Sequence, residues 1–339
     1  MRADDERIYP LTFEPVFRDY IWGGRHLETL FGRKLPPGIV AESWDISGHP
    51  SSPTKIASGY WQGRTLNEVQ EELGTDLVGT RSSEMLARNK FPLLVKLLDA
   101  NAALSVQVHP DDAYARAHED GELGKSEMWY VLHATRNAEL IYGLASGVTP
   151  ESFRRAVEDG TLGDLLHRVS IERGDCIHIP PGTVHSLLAG AVVAEIQQNS
   201  DTTYRVYDWG RVGEDGKPRP LHVDKALEVI DWQCVEPDKA EVIPIAKDEG
   251  MERSLLVSEP NFVVERLVME EGATFSGACD GTTFEIWGCL EGAGRVCWTD
   301  EALPMEAVRF ALLPAALGKY MIQAEESGTF LRVYVDGNS

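Results

Sequence analysis

Apolar residues along this chain fall into short runs separated by Gly, Pro, Asn and Asp, not into long helical stripes. The runs Phe91 to Leu98, Ala103 to His109, Glu127 to His133, Glu139 to Tyr142, Cys176 to Ile179, Val192 to Gln198 and Tyr204 to Tyr207 are rich in Val, Ile, Leu and aromatics. That pattern predicts strands of an antiparallel sandwich or barrel. Helices are fewer. Thr65 with Glu68 forms a capping box opening a helix towards Leu77, and Thr149 before Pro150 caps another through Val157. Asp111 to Glu119 and Val223 to Ile230 are further helical candidates.

The stretch Gly210 to Pro220 mixes Gly, Pro and charge without a period and reads as a loop leading into the helix around Lys225. Beyond about residue 240 short strands return, at Phe262 to Met269, Phe284 to Leu290, Arg309 to Leu313 and Phe330 to Val335, and no histidine follows His222. With 339 residues, of which 43% are hydrophobic, the chain can bury two cores. The expected division is 1–238, carrying the chemistry, and 239–339, a second β domain without a metal site.

Charge narrows the partners. The formal net charge of -22 repels polyanions, which argues against nucleic acid and anionic membranes, so an anionic substrate must meet locally placed Lys and Arg. The start, MRADDERIYPLTFEP, has no apolar signal region, and no run reaches the ~18 uninterrupted apolar residues of a membrane span. A soluble, cytoplasmic protein is expected. Five cysteines without a CxxC pair argue against both a disulfide framework and a thiolate zinc site.

Candidate chemistry concentrates in three segments. Gln107 and His109 in LSVQVHP, Glu127 in GKSEMWYVL and His185 in IPPGTVHSL are amide, imidazole and carboxylate donors, suited to a divalent metal of hard-to-borderline character. Residues two apart on a strand share a face, so Gln107 with His109, and Lys125 with Glu127, can point into one barrel. A lone histidine on a strand is more often a core residue than a ligand. That reading is kept for His26, His49, His118, His133, His167, His178 and His222, and Trp22, Trp44 and Trp129 are read as core aromatics.

The stretch GDCIHIPPGTVH, with its Gly174, Pro180, Gly182 and His185 spacing, resembles the second signature of the cupin superfamily. Read together with YIWGG (Tyr20 to Gly24), ESWDIS (Glu42 to Ser47), FPLLVKLLDA (Phe91 to Ala100), LSVQVHP, GKSEMWYVL and EIQQNSDTTYRVYDWGR (Glu195 to Arg211), the chain resembles the type I mannose-6-phosphate isomerases, in their short bacterial form. The resemblance implies two cupin-type jelly-roll β-barrels with a few peripheral helices. It also implies one Zn2+ per chain, held by Gln107, His109, Glu127 and His185, and an active-site Arg205. Longer members have a histidine just before the lysine of the Lys-x-Glu motif, where this chain has Gly124.

The implied reaction interconverts mannose 6-phosphate and fructose 6-phosphate through a cis-enediol. Lys125 is the first candidate for the proton shuttle and Glu195 the second. Arg205 suits the enediolate charge or the phosphate; as a structural residue it would instead pair with Asp201 or Asp208. Ser105 and Lys96 are candidate substrate contacts, with Lys217 and Arg219 as further phosphate candidates. The competing functions are a non-catalytic sugar-binding cupin and an iron-dependent cupin oxygenase. The expected partner is a small sugar phosphate, and the expected assembly a monomer or homodimer.

Overall fold

A computed structural model describes residues 7–212 and 216–336. Parts of the charged start and of the loop Gly210 to Pro220 therefore lie outside the described residues. The chain forms two compact units: Met1–Val16 with Ser43–Lys96 and Glu241–Ser339, and Phe17–Glu42 with Leu97–Ala240. The expected boundary at 238/239 lies beside the last crossing between units. The crossings after residues 16, 42 and 96 have no counterpart in the sequence pattern.

In the unit built mainly from residues 97–240, two antiparallel layers face each other. One carries Glu127–Ala134 between Cys176–Ile179 and Ala191–Gln198. The other runs in the order Tyr204–Tyr207, Val106–Val108, His185–Leu187, Glu139–Leu144, Leu166–Ser170. Trp129, Val131, Ile177, Ile179 and Val193 from the first layer pack against Leu140, Tyr142 and Leu187 from the second. The outer face of the second layer is covered in turn. Val106, Val108, Ile141, Tyr204 and Val206 pack under helices Pro150–Asp159 and Val223–Val229, through Phe153, Ala156 and Ala226.

Strand parity thereby sorts residues. Val106 and Val108 face the helices, so Gln107 between them faces the barrel interior; Tyr204 and Val206 do the same for Arg205. Helices start where the caps predict. Thr65 and Glu68 form a reciprocal capping box, and Thr149 accepts from the amide of Ser152 below Pro150. The first of these helices ends at Leu73, and a separate turn, Thr75–Val78, completes the run to Leu77 and Val78 because Gly74 breaks the period.

The other unit holds a second sandwich. Leu267, Trp287, Leu313 and Phe330 from one sheet pack against Phe275, Val296, Tyr320 and Ile322 from the other. Where the first barrel gathers metal-type donors, this interior contains a closed ionic network. The Glu285 carboxylate, 1% exposed, accepts from Arg332 through Nε at 2.7 Å and Nη2 at 2.6 Å, from Trp287 Nε1 at 2.9 Å and from the Tyr320 hydroxyl. Removing one member leaves a dry, unpaired charge, so Arg332→Met is expected to lower stability by about 3–5 kcal/mol. Urea denaturation measures this; Arg332→Met combined with Glu285→Gln should recover part of the loss.

The five cysteines are free thiols. No helix of the described residues is long and apolar enough to cross a membrane.

Candidate metal centre

Three strands bring the first row of polar groups together. Gln107 is the direct cross-strand partner of His185 on one side and of Arg205 on the other. The three side chains thus stand in line on the inner face of one sheet. Facing them, Glu127 opens its own strand, flanked by Ile179 and Gln197. His109 follows directly after the Val106–Val108 strand.

Among the described residues, His109, Glu127 and His185 form the one group of three donors that could hold a metal, with ligand atoms all within 4.8 Å of one another. They are 1%, 0% and 0% exposed. His185 Nε2 lies 3.1 Å from Glu127 Oε1, His109 Nε2 lies 3.6 Å from Glu127 Oε2, and the Gln107 amide nitrogen is 3.3 Å from His185 Nε2. The two imidazoles and the carboxylate converge, and the Gln107 side chain lies against His185 beside them.

The ring orientations are set from behind. His109 Nδ1 is 2.9 Å from the Thr202 carbonyl, and His185 Nδ1 is 2.9 Å from the Thr183 carbonyl. A carbonyl only accepts, so each Nδ1 carries the proton and each Nε2 presents a lone pair to the centre. Burial and then the charge of Lys125 push the His109 pKa well below its ordinary value, which keeps that imidazole in the ligating, neutral form. For Glu127 burial opposes ionisation, but Lys125, His109 and His185 outweigh it and hold the carboxyl well below its usual range. Neither Glu127 oxygen accepts a hydrogen bond of acceptable geometry, even though Lys125 Nζ is 2.5 Å from Oε2. A buried carboxylate without a hydrogen bond, facing two imidazole lone pairs, fits a divalent cation.

Lys125 reaches the same point, with Nζ also 3.2 Å from His109 Nε2. It precedes the strand that starts at Glu127, so its position does not come from sheet pairing. Backbone tethers hold it instead. The amide of Gly124 donates to Asp112 Oδ1 at 2.8 Å, that of Lys125 to the Pro110 carbonyl at 3.0 Å, and that of Ser126 to Gln198 Oε1 at 2.9 Å. Gln198 Nε2 donates to both Asp112 oxygens, at 3.2 and 3.1 Å, closing the ring.

A side chain at position 124 has no room, because a Cβ there would sit 2.4 Å from the Asp112 amide nitrogen and 2.5 Å from the Asp111 carbonyl carbon. The histidine of longer members is therefore incompatible with this turn. Gly124→Ala is expected to displace Lys125 and lower kcat about tenfold or more while the metal content holds, since small misplacements of a reacting group are costly. Steady-state kinetics with metal analysis reads both.

Glu195 lies 3% exposed on the strand paired with Glu127–Ala134, directly opposite Trp129. Trp129 Nε1 donates to Glu195 Oε1 at 2.7 Å, and the same indole meets the His185 ring edge-on with centroids 5.5 Å apart. Trp129 is a core aromatic, as its sequence suggests, and also the link between Glu195 and the metal-type cluster. Its two-residue offset from Glu127 was the available signal.

Arg205 is half-buried. Its Nη1 donates to the Pro220 carbonyl at 3.2 Å and its Nε has no partner among the described residues. It forms no ion pair with Asp201 or Asp208. Asp208 instead engages Arg211, at 2.5 Å, and Arg219, at 2.6 and 2.8 Å, so the Arg219 guanidinium is already committed. Ser105 is buried two residues before Gln107. Lys96 is the last residue of its segment in the other unit, 4% exposed, with Nζ 4.6 Å from the centre of the Trp44 ring. His178 pairs with Met128, out of phase with Ile177 and Ile179, and stays outside the cluster.

Residues 11–139 match the family described as phosphomannose isomerase type I, catalytic domain. The chain is also 38% identical over 315 residues to the probable mannose-6-phosphate isomerase GmuF of Bacillus subtilis (strain 168), covering 93% of this chain and 96% of that one. The chain belongs to the type I phosphomannose isomerase family. Another relative in this family, the mannose-6-phosphate isomerase of Streptococcus mutans, is 40% identical over 255 residues, covering 75% of this chain and 77% of the relative. The crystal structure of the mannose 6-phosphate isomerase from Bacillus subtilis superposes with a TM-score of 0.85 at 34% identity, covering 96% of this chain and 99% of that one. As a type I phosphomannose isomerase, the chain has a mainly β, cupin-like architecture in keeping with its sequence pattern.

Proposed function

We propose that this chain interconverts mannose 6-phosphate and fructose 6-phosphate, with Gln107, His109, Glu127 and His185 holding a single zinc ion. The observation that carries this reading is the buried convergence of two Nε2 lone pairs and the Glu127 carboxylate, within 4.8 Å of one another, with Lys125 beside them. The family membership and the names of the relatives support the same activity. When bound, the dication supplies Lewis-acid polarisation of the sugar oxygens, worth several kcal/mol.

The reaction moves one proton between two carbons. A base takes the proton from C2 of the aldose, the freed electron pair forms the C1–C2 double bond of a cis-enediol, and the proton returns at C1 while the O2 hydroxyl proton passes to O1. Lys125 is the proposed shuttle, because its amino group stands 2.5 Å from Glu127 and 3.2 Å from His109, at the rim of the donor cluster. Glu195, held by Trp129, is the second candidate. Arg205 supplies fixed positive charge to the enediolate or the phosphate. Ser105 and Lys96 are assigned to substrate contact, and the segment 239–339 takes no metal of its own. A cytoplasmic setting accords with a sugar phosphate as substrate.

Incubating the zinc-loaded protein with mannose 6-phosphate in D₂O tests the reading. Fructose 6-phosphate should appear, deuterium should enter at C1, and no oxygen should be consumed. Absence of both product and exchange in the loaded protein would end the isomerase assignment.

A further inference from the structure

The segment Arg219 to His222 grips the strand that carries Arg205. His222 donates its amide to the Arg205 carbonyl at 2.7 Å and accepts the Arg205 amide on its ring Nδ1 at 3.2 Å. Pro220, between them in sequence, accepts from the Arg205 guanidinium at 3.2 Å. At the far end Arg219 clamps Asp208 through Nε at 2.8 Å and Nη2 at 2.6 Å. The same four-residue stretch thus fixes the main chain of Arg205, its side chain and the end of its strand.

His222 occupies the N-cap position of helix Val223–Val229, yet its side chain makes no capping bond. The ring is turned away to take the Arg205 amide instead. That amide points off the edge of the sheet, since the neighbouring strand Val106–Val108 lies on the opposite side of Tyr204–Tyr207 and the register slips between Arg205 and Tyr207. Without an acceptor supplied from outside the sheet, the Arg205 amide would lack a protein partner at the point where the strand is least regular.

We infer that His222 is a positioning residue for Arg205, holding the guanidinium at the angle the reaction needs. This rests on the proposed role of Arg205 in isomerisation. The acceptor function requires an unprotonated Nδ1, with the proton on Nε2. Burial first, and then Arg205 and Lys225, hold the His222 pKa below its ordinary value against the opposing pull of Glu119, while the Tyr204 ring packs alongside. The neutral ring is the resting state at pH 7.

Four variants test the assignment: His222→Phe, His222→Asn, Arg205→Ala, and Arg205→Ala with His222→Phe. His222→Phe removes the acceptor and should lower kcat about 10- to 100-fold with KM and metal content unchanged, the size of loss expected from a small misplacement of a charged group. His222→Asn puts an amide oxygen near the Nδ1 position and should restore most of that loss. In the Arg205→Ala background His222→Phe should cost nothing more. Should His222→Phe fail to fold or lose its metal, His222→Ala removes the same acceptor without added bulk; its kcat loss should likewise vanish when Arg205 is absent. Full turnover in His222→Phe, equal losses with and without Arg205, or His222→Asn no better than His222→Phe would each overturn the inference. A slow Arg205→Ala beside an unimpaired His222→Phe sinks the positioning role alone, whereas an unimpaired Arg205→Ala removes the role of Arg205 and the positioning role together.

Discussion

Glu127→Gln is expected to strip the metal and lower kcat by roughly 10³-fold or more, because a Lewis acid contributing several kcal/mol is lost with it. Glu127 is fully buried, faces both imidazoles and supplies the one negative charge in the proposed ligand set. The neutral amide keeps the shape but removes the charge that holds a dication next to Lys125. Elemental analysis of the purified variant and a coupled turnover assay give the two readouts. Chelation of the unmodified protein should reproduce the loss, and added zinc should reverse it in the parent but not in Glu127→Gln. A variant that keeps one metal per chain at full turnover would show that Glu127 is no ligand.

Arg205→Ala is expected to lower kcat about 10²- to 10³-fold while leaving one metal per chain, the range for removing a fixed donor from a developing oxyanion. Among the described residues the guanidinium makes no ion pair, its Nε is unsatisfied, and its side-chain bond goes to the Pro220 carbonyl, so no described carboxylate holds its charge in a direct pair. Asp208, the carboxylate that could have neutralised it, is taken by Arg211 and Arg219. A fall in kcat and in kcat/KM by the same factor places the lost interaction in the transition state; a rise in KM alone places it on the ground-state substrate. Loss of metal in this variant would instead assign Arg205 to the structural frame.

Much of the centre was legible because its signals are local. His185 sits in a glycine- and proline-rich turn of fixed spacing, and Gln107 is flanked by two valines whose parity turns it inward. The row formed by Arg205, Gln107 and His185 was not legible, because it depends on which strands become neighbours, and those three lie in segments far apart in sequence. The tethers on Lys125 were hidden for a related reason. Asp112 and Gln198 read as a helix start and a strand end, and only the folded chain brings both to the amides of Gly124 and Ser126.

Two strands escape the sequence pattern because they lie at sheet edges and carry proline. Ile243–Asp248 and Glu301–Glu306 are edge strands with mostly exposed residues, each with a proline (Pro244, Pro304) inside its short apolar run that argues against a strand, and their pairing with Met251–Ser258 and Ala293–Trp298 is what makes them strands. The strand Ala103 to His109 shrinks to Val106–Val108, as Pro110 and the turn before Val106 limit the ladder.

The unit that joins early segments to segments beyond residue 280 has a consequence for how the protein is made. Leu11 exchanges both of its main-chain hydrogen bonds with Leu312, Thr80 and Arg81 donate to carbonyls at Gly281 and Thr282, and Phe91 packs on Phe284. A ribosome therefore releases the early segments long before their partners exist, and these stretches must wait with apolar faces uncovered until roughly 200 further residues have been added. The segment 97–240 has most of its strand partners within itself and can close earlier, so synthesis interrupted near residue 280 would yield a metal-type barrel attached to aggregation-prone, unpaired chain.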